Sequence, residues 1–271
     1  MGLTPLQRLA HVLRKFHLLQ VADTCWFIRL FWQSRAANNR FKEQHPEVPA
    51  PPQMMLYDIQ GNCDLGGFYA SGKESAAEIA RLVRENAHGP EGPLRILEWG
   101  CGPARVLQHL ESPEGGSWQL YGSDYNPRTI EWCRQHFPKI QFLDNGLLPP
   151  IQMEAGSIDV FYCISVFTHL SEESHYQWIE EIQRLLKPGG LFIGTFHGDA
   201  FRGQLTAQEQ QSYDAGELVV RDKIQEGKKN FSAYHCDSVV RRFLSPFDVV
   251  TKQNMPDCFQ QTVWTAVNKS K

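Results

Sequence analysis

From Leu94 to Phe196 the chain alternates short apolar runs with amphipathic stretches, and this alternation restricts the fold more than any other feature. Leu94–Glu98, Trp118–Gly122, Ile140–Leu143, Ile158–Ser165 and Leu191–Phe196 read as strands. Helices are expected from the turn after Gly100 to about Leu110, from Pro127 to about His136, and over Glu172–Leu186, where Lys187-Pro-Gly-Gly stops the last one. The run Ile158-Asp-Val-Phe-Tyr-Cys-Ile-Ser is nearly all apolar, as a strand buried on both faces must be. Such alternation builds a parallel sheet with helices on both faces. Two later strands, Phe247–Lys252 and Thr262–Asn268, bring the expected count to seven. The expected class is α/β, with a seven-stranded, mostly parallel sheet.

The flanks differ in character. Residues 1–42 hold seven basic side chains (Arg8, Arg14, Lys15, Arg29, Arg35, Arg40, Lys42) against Asp23 alone, in a 271-residue chain of net charge −3. Leu6, Leu9, Leu13, Phe16, Phe27 and Leu30 recur there at helical spacing. Such a helix either packs with a solvated basic face or makes peripheral contact with an anionic membrane surface. Four prolines between His45 and Pro52 make an extended linker, because proline fixes φ and lacks a donor. Residues 53–72, with Gly61, Gly66, Gly67 and Gly72, are expected as a loop. Residues 73–87 are expected as a helix broken by His88-Gly-Pro-Glu-Gly-Pro, and 199–228 as helical or irregular. The division is an N-terminal helical extension and linker, 1–60, and a main domain, 61–271.

No uncharged apolar run reaches the roughly 18 residues that a membrane span needs, since Leu18–Trp32 contains Asp23 and Arg29. No secretory signal is read. The seven cysteines are widely spaced without C-x-x-C, so reduced, mostly buried thiols and a cytoplasmic location are expected.

Chemistry concentrates where the strands end. Leu94-Arg-Ile-Leu-Glu-Trp-Gly-Cys-Gly-Pro-Ala-Arg runs a strand into Gly100-x-Gly102, which lets the backbone turn tightly against a ligand. The dinucleotide fingerprint asks for a third glycine where Arg105 stands. Asp124 ends the second strand, at the distance where a carboxylate accepts from both hydroxyls of a ribose. It also qualifies, with Asn126, as a helix cap before Pro127. Asp144 and Asn145 follow the third strand, and either can bond an adenine amino group.

The ordered set LEWGCGPAR, YGSDYNP, FLDNGLLPP, IDVFYCISVFTHL and RLLKPGGLFIGTF resembles the class I S-adenosylmethionine (SAM)-dependent methyltransferases over about residues 94–196. The late pair ending TVWTAVNK is similar to that family's closing hairpin, which implies an antiparallel final strand. The resemblance implies SAM as cofactor and a set of binding positions. Glu98 matches the acidic residue near the methionine portion, and Gly100 and Gly102 the glycines under the cofactor. Arg105 is counted with them. Asp124 matches the ribose acid, Tyr125 the residue beside adenine, and Asp144 or Asn145 the residue at its amino group. Ser165 matches the place where the fourth strand meets the sulfonium. The third loop glycine is here Ala104, after Pro103, which departs from the family pattern. Gly67–Gly72 matches a lid segment, with Tyr69 its candidate residue.

Methyl transfer from a sulfonium is an in-line displacement, in which alignment supplies roughly 7–11 kcal/mol and a base adds typically about 10²–10⁴-fold. His169 and His197 follow the fourth and fifth strands and are the candidate catalytic bases, with His235 a third. Ser165-Val-Phe-Thr lacks the acidic or Asn residue before Pro-Pro-aromatic that marks amino-methylating nucleic-acid enzymes of this fold. Cys163 lacks the Pro-Cys of base C5 methylation. Ser165, with Asp199 alone later, does not make a magnesium site, so no metal is expected. With near-neutral net charge, these absences point to an oxygen or nitrogen of a small molecule or glycan, lipid-linked ones included, and to no nucleic acid. Residues 197–245 are expected to supply most acceptor contacts. The alternative is a non-catalytic SAM-binding protein. Tyr69-x-x-x-Lys73 has short-chain dehydrogenase spacing, but it precedes the glycine loop, where that chemistry has no use for it.

Overall fold

The computed structural model describes residues 19–87, 92–112, 117–222, 225–228, 230–255 and 258–269. The helical reading of residues 1–18 and the first residues of the breaker at His88 lie outside these. Three helices come first: α1 (Leu19–Gln44), α2 (Gln53–Gln60) and α3 (Leu65–Asn86). Strands β1 (Leu94–Trp99), β2 (Trp118–Asp124), β3 (Gln141–Asp144), β4 (Ile158–Cys163) and β5 (Leu186–Phe196) follow, with α4 (Pro127–His136) and α5 (Glu172–Leu185) between them. Then come α6 (Ala207–Asp214), a short hairpin of β6 (Val219–Arg221) and β7 (Ser232–Tyr234), α7 (Asp237–Phe243), and the long hairpin of β8 (Phe247–Met255) and β9 (Gln261–Asn268).

Seven strands form one sheet in the order β3-β2-β1-β4-β5-β9-β8. β1 to β5 pair in parallel, and β9 runs antiparallel between β5 and β8. The seven-stranded, mostly parallel α/β sheet with an antiparallel last strand is therefore the architecture found. β4 explains why both faces are covered. Its Phe161 and Cys163 enter one core with Trp178, Ile182 and Phe243, and its Val160 and Tyr162 enter the other with Ile79, Val83 and Ile130. Each fully buried large side chain contributes roughly 1.5–3 kcal/mol, so a strand buried on both faces anchors the sheet from its centre. Helix starts follow the sequence closely. Asn126 accepts from Arg128 N ahead of Pro127 at the first turn of α4, and Ser171 accepts from Ser174 N at α5.

The structure departs from the sequence reading at four places. Residues 53–72 are not a loop: they form α2 and the first turns of α3. Gly61 is the left-handed cap of α2 (φ 70°), its N–H donating to Tyr57 O. Gly72 lies inside α3 because a Cβ there would meet Arg105 O at 2.1 Å, so this glycine serves close packing rather than a turn. Among the described residues between the glycine loop and β2 there is no α-helix but a 3-10 turn, Leu107–His109, because Pro103 lacks a donor and Ala104 sits at φ 56°. β5 begins at Leu186 directly after α5, with Lys187-Pro-Gly-Gly inside the strand and a bulge opposite β4. The hairpin β6–β7 falls within stretches not read as strand.

α1 and α2 are held by polar contacts. Asn38, buried, donates to Cys63 O (2.6 Å) and accepts from Leu65 N (3.0 Å), satisfying the chain where it enters α3. Tyr57 Oη donates to Asp23 Oδ1 (2.6 Å), joining α2 to α1. Among the described residues no helix is long and apolar enough to cross a membrane. The outer face of α1 exposes Val21, Trp26, Ile28 and Trp32, with Arg29 and Arg35 lying over the two indoles.

Candidate active site

Ligands of open α/β sheets bind outside the carboxyl ends of the strands. Here a cavity of about 590 Å³ lies at that edge, floored by the segments after β1, β2 and β4. The glycine loop builds its base. Gly100 (φ 73°) and Gly102 (φ 51°) take left-handed conformations open to glycine, and Ala104 takes the same region at some cost. Gly100 N and Cys101 N both donate to Ser123 O, tying the loop to β2.

Asp124 fixes the next corner. Its Oδ2 accepts from Gly102 N (3.0 Å) and its Oδ1 from Asn126 N (2.8 Å). Burial raises its pKa, and these two backbone donors oppose the rise. Asn126, not Asp124, caps α4, so Asp124 keeps its remaining lone pairs for the cavity. Tyr125 lines the wall, its hydroxyl donating to Gly227 O (3.0 Å). Asn145 lines it too, and its Oδ1 is buried with no partner. Asp144 does not: it pairs with Arg134 (2.9 Å) on the outer side.

Glu98 lies beneath the cavity rather than in its wall. It is buried, accepts from Tyr162 Oη (2.9 Å), and is pushed up to about 8 by desolvation. Arg105 lines the cavity, with Nη1 within reach of Ser71 Oγ (3.4 Å) and Ser75 Oγ (3.3 Å), and burial lowers its pKa.

Ser165 follows β4 at φ 60° and lines the cavity. A closed ring holds it: Ser165 N donates to Thr195 Oγ1 (2.8 Å), Thr195 Oγ1 to Gln261 Oε1 (2.6 Å), and Gln261 Nε2 to Ser165 Oγ (2.7 Å). Thr168 Oγ1 caps Ser165 O (2.6 Å).

The histidines separate. His169 lines the cavity, and its Nδ1 donates to Phe231 O (2.8 Å), which leaves Nε2 as the unprotonated nitrogen. Burial lowers its pKa, which favours the neutral ring, and the bond to Phe231 O opposes this. His197 stands outside the cavity lining, stacked on Phe201, its Nδ1 donating to Ala233 O (3.1 Å), and burial lowers it to about 4. His235 is core: its Nε2 meets His175 Nε2 at 2.8 Å. Tyr69 is also away from the cavity, packed edge-on to His109.

The known proteins agree with this architecture. A family model described as a methyltransferase domain matches residues 96–190. A tRNA N(3)-methylcytidine methyltransferase of Schizosaccharomyces pombe is 31% identical over 144 residues, covering 49% of this chain and 45% of the relative. A tRNA(Thr) (cytosine(32)-N(3))-methyltransferase of Saccharomyces cerevisiae is 27% identical over 186 residues, covering 61% of this chain and 29% of the relative. The chain thus spans less than half the length of either relative. A solved SAM-dependent methyltransferase from Methanosarcina mazei shares the fold at TM-score 0.53 and 15% identity, over 70% of this chain and 98% of that one. The chain carries a class I SAM-dependent methyltransferase domain.

The methyltransferase domain takes part of its cavity wall from elements the sequence reading passed over. Met55, Asp58, Ile59 and Gln60 of α2 close over the glycine loop. The contact is tight: a Cβ on Gly102 would meet Ile59 Cδ1 at 2.5 Å. The β8–β9 connection contributes Phe259 and Gln260, and β9 supplies Gln261 behind Ser165. For α2 a signal was present, since Gly61 after Met55-Leu-Tyr-Asp-Ile-Gln has the form of a helix stop. For Gln261 there was none: its partners lie 66 and 96 residues away.

Proposed function

We propose that this chain transfers the SAM methyl group to a ring nitrogen of a base in RNA, tRNA being the first substrate to test. This replaces the expectation of a small-molecule or glycan acceptor without nucleic acid, which the two tRNA-methylating relatives overturn. Net charge is an average, and here the positive charge is gathered in residues 1–42. The motif after the fourth strand marks some enzymes that methylate exocyclic amines, whereas a ring nitrogen attacks with a lone pair it already holds.

The residues present fit SAM, which supplies an electrophilic methyl on a sulfonium. Asp124 is proposed to accept from the ribose hydroxyls, Tyr125 to lie against the adenine, and the orphaned Asn145 Oδ1 to accept from its amino group. Arg105 is the cation available to the methionine carboxylate, with Ser71 beside it. Glu98 stands outside the wall and is not among the residues proposed to touch the cofactor.

The observation that carries the reading is the cavity wall, where Ser165 and His169 offer polar atoms in a lining that also holds Leu170 and Phe259. A base turned out of its stack reaches such a pocket edge-first. Its nitrogen lone pair forms the new N–C bond as the S–C bond breaks, and positive charge passes from sulfur to the base. No proton has to leave, so a general base is not required and His169 serves as a hydrogen-bond acceptor. The exposed Arg29, Arg35, Arg40 and Lys42 of α1, the helix whose Asp23 lines the cavity, are the proposed phosphate surface.

The test is methylation of total small RNA with isotope-labelled SAM, followed by nucleoside analysis. Labelled 3-methylcytidine is the expected product, formed in step with S-adenosylhomocysteine. If no base is labelled while SAM binds calorimetrically, the RNA reading is wrong.

A further inference from the structure

His169 and Ser165 sit four residues apart on the turn after β4, and both line the cavity. The hydrogen-bonding sense of His169 is fixed from behind. Phe231 O can only accept, so His169 Nδ1 must carry the proton and Nε2 must present a lone pair. Ser165 Oγ already accepts from Gln261 Nε2, and Ser165 N and O are taken by Thr195 and Thr168. Ser165 Oγ keeps its hydroxyl proton, beside one lone pair, for the cavity. The wall therefore offers one fixed acceptor, His169 Nε2, and a hydroxyl able to donate, Ser165 Oγ–H.

From this we propose that His169 Nε2 and Ser165 Oγ–H read the two groups flanking the nitrogen to be methylated, an amino group and a carbonyl oxygen, and so select the edge of cytosine. The inference rests on the RNA reading above and adds how the base is chosen. Cytosine presents an amino group, a bare ring nitrogen and a carbonyl in that order. Uracil presents a carbonyl where His169 needs a donor, which sets two lone pairs face to face, and its ring nitrogen holds a proton. Adenine has the amino group, but only a C–H faces Ser165. His169 is thus a specificity-determining residue rather than a base, and Thr195 and Gln261 are positioning residues that act through Ser165.

The discriminating experiment uses the full chain and RNA hairpins identical except at the position mapped by the nucleoside analysis. One carries cytosine. The other carries 2-pyrimidinone, which keeps the carbonyl and ring nitrogen but lacks the amino group. A site built around a hydrogen bond rejects the analogue lacking it. Wild type should prefer cytosine by at least about tenfold in kcat/KM, in line with a base-edge contact. His169→Ala should shrink that preference severalfold, down to the part set by the weaker nucleophilicity of the 2-pyrimidinone nitrogen, with SAM affinity unchanged. Should His169→Ala disturb the chain around Phe231 and lose turnover on both, His169→Gln decides, because its amide oxygen restores an acceptor and with it the preference. Equal use of both bases by wild type, or a preference untouched in His169→Ala, overturns the proposal while leaving RNA methylation standing. A His169→Gln enzyme that is active without preference overturns it as well. Absence of any RNA methylation with intact SAM binding defeats the parent reading instead.

Discussion

Gly102 shows how much one position carries. At φ 51° its N–H faces Asp124 Oδ2 and its α-carbon faces Ile59. A side chain in this left-handed region costs roughly 1–2 kcal/mol, and a Cβ would also push Ile59 away. Gly102→Ala is therefore expected to weaken SAM binding by about tenfold or more with the fold retained, as calorimetry beside far-UV circular dichroism would show. Unchanged affinity would mean that the loop does not cradle the cofactor. Glu98 makes a different prediction. Its pKa is pushed from 4.5 up to about 8, so between those values the folded chain binds a proton that the unfolded chain does not. Stability then falls as pH rises through that window. Glu98→Gln carries no charge and should gain on wild type in Tm as pH climbs from about 5 to 8. A gap that stays constant would show Glu98 ionised throughout.

At the scale of elements, α3 and the glycine loop are fitted to each other. A Cβ at Gly72 would sit 2.1 Å from Arg105 O, and backbone cannot yield as a flexible side chain can. Gly72→Ala should cost about 1–3 kcal/mol, the usual range for overpacking, despite alanine's better helix propensity. Urea unfolding would measure it, and a stabilised variant would place α3 elsewhere. α2 is held to α1 by Tyr57, whose hydroxyl meets Asp23 Oδ1 and Asp23 O. Tyr57→Phe should cost about 1 kcal/mol. Because α2 roofs the cavity, faster amide exchange should appear over residues 53–60 first, and SAM should suppress it.

For the whole molecule, the separation of charge matters more than its sum. The chain as a whole is at −3, yet α1, whose Asp23 lines the cavity, exposes Arg29, Arg35, Arg40 and Lys42 along its length. If these meet RNA phosphates, log affinity should fall linearly with log salt, by roughly 0.7 per contact to single strands. Arg35→Glu with Arg40→Glu should lower RNA affinity several-fold and flatten that slope by at least one contact, while SAM affinity stays the same. An unaltered slope would move the phosphate surface off α1.

The sheet was legible in the sequence because local pattern fixes it. Buried parallel strands need continuous apolar runs, and Ile158–Cys163 has one; Asn126-Pro127 and Ser171 announce their helices by local hydrogen bonding. The glycine loop and Asp124 could be placed for the same reason, since strand order sets where they emerge. Tertiary structure decided the rest. Whether Asp144 or Asn145 turns inward depends on Arg134, and whether His169 or His197 faces the cavity depends on Phe231 O and Ala233 O, more than thirty residues away. The glycines of 61–72 looked like a loop because a glycine demanded by close packing is indistinguishable, in sequence, from one demanded by a turn. Roof and backing wall come from α2 and β9, at opposite ends of the described chain, and only the closing of the sheet brings them to one site.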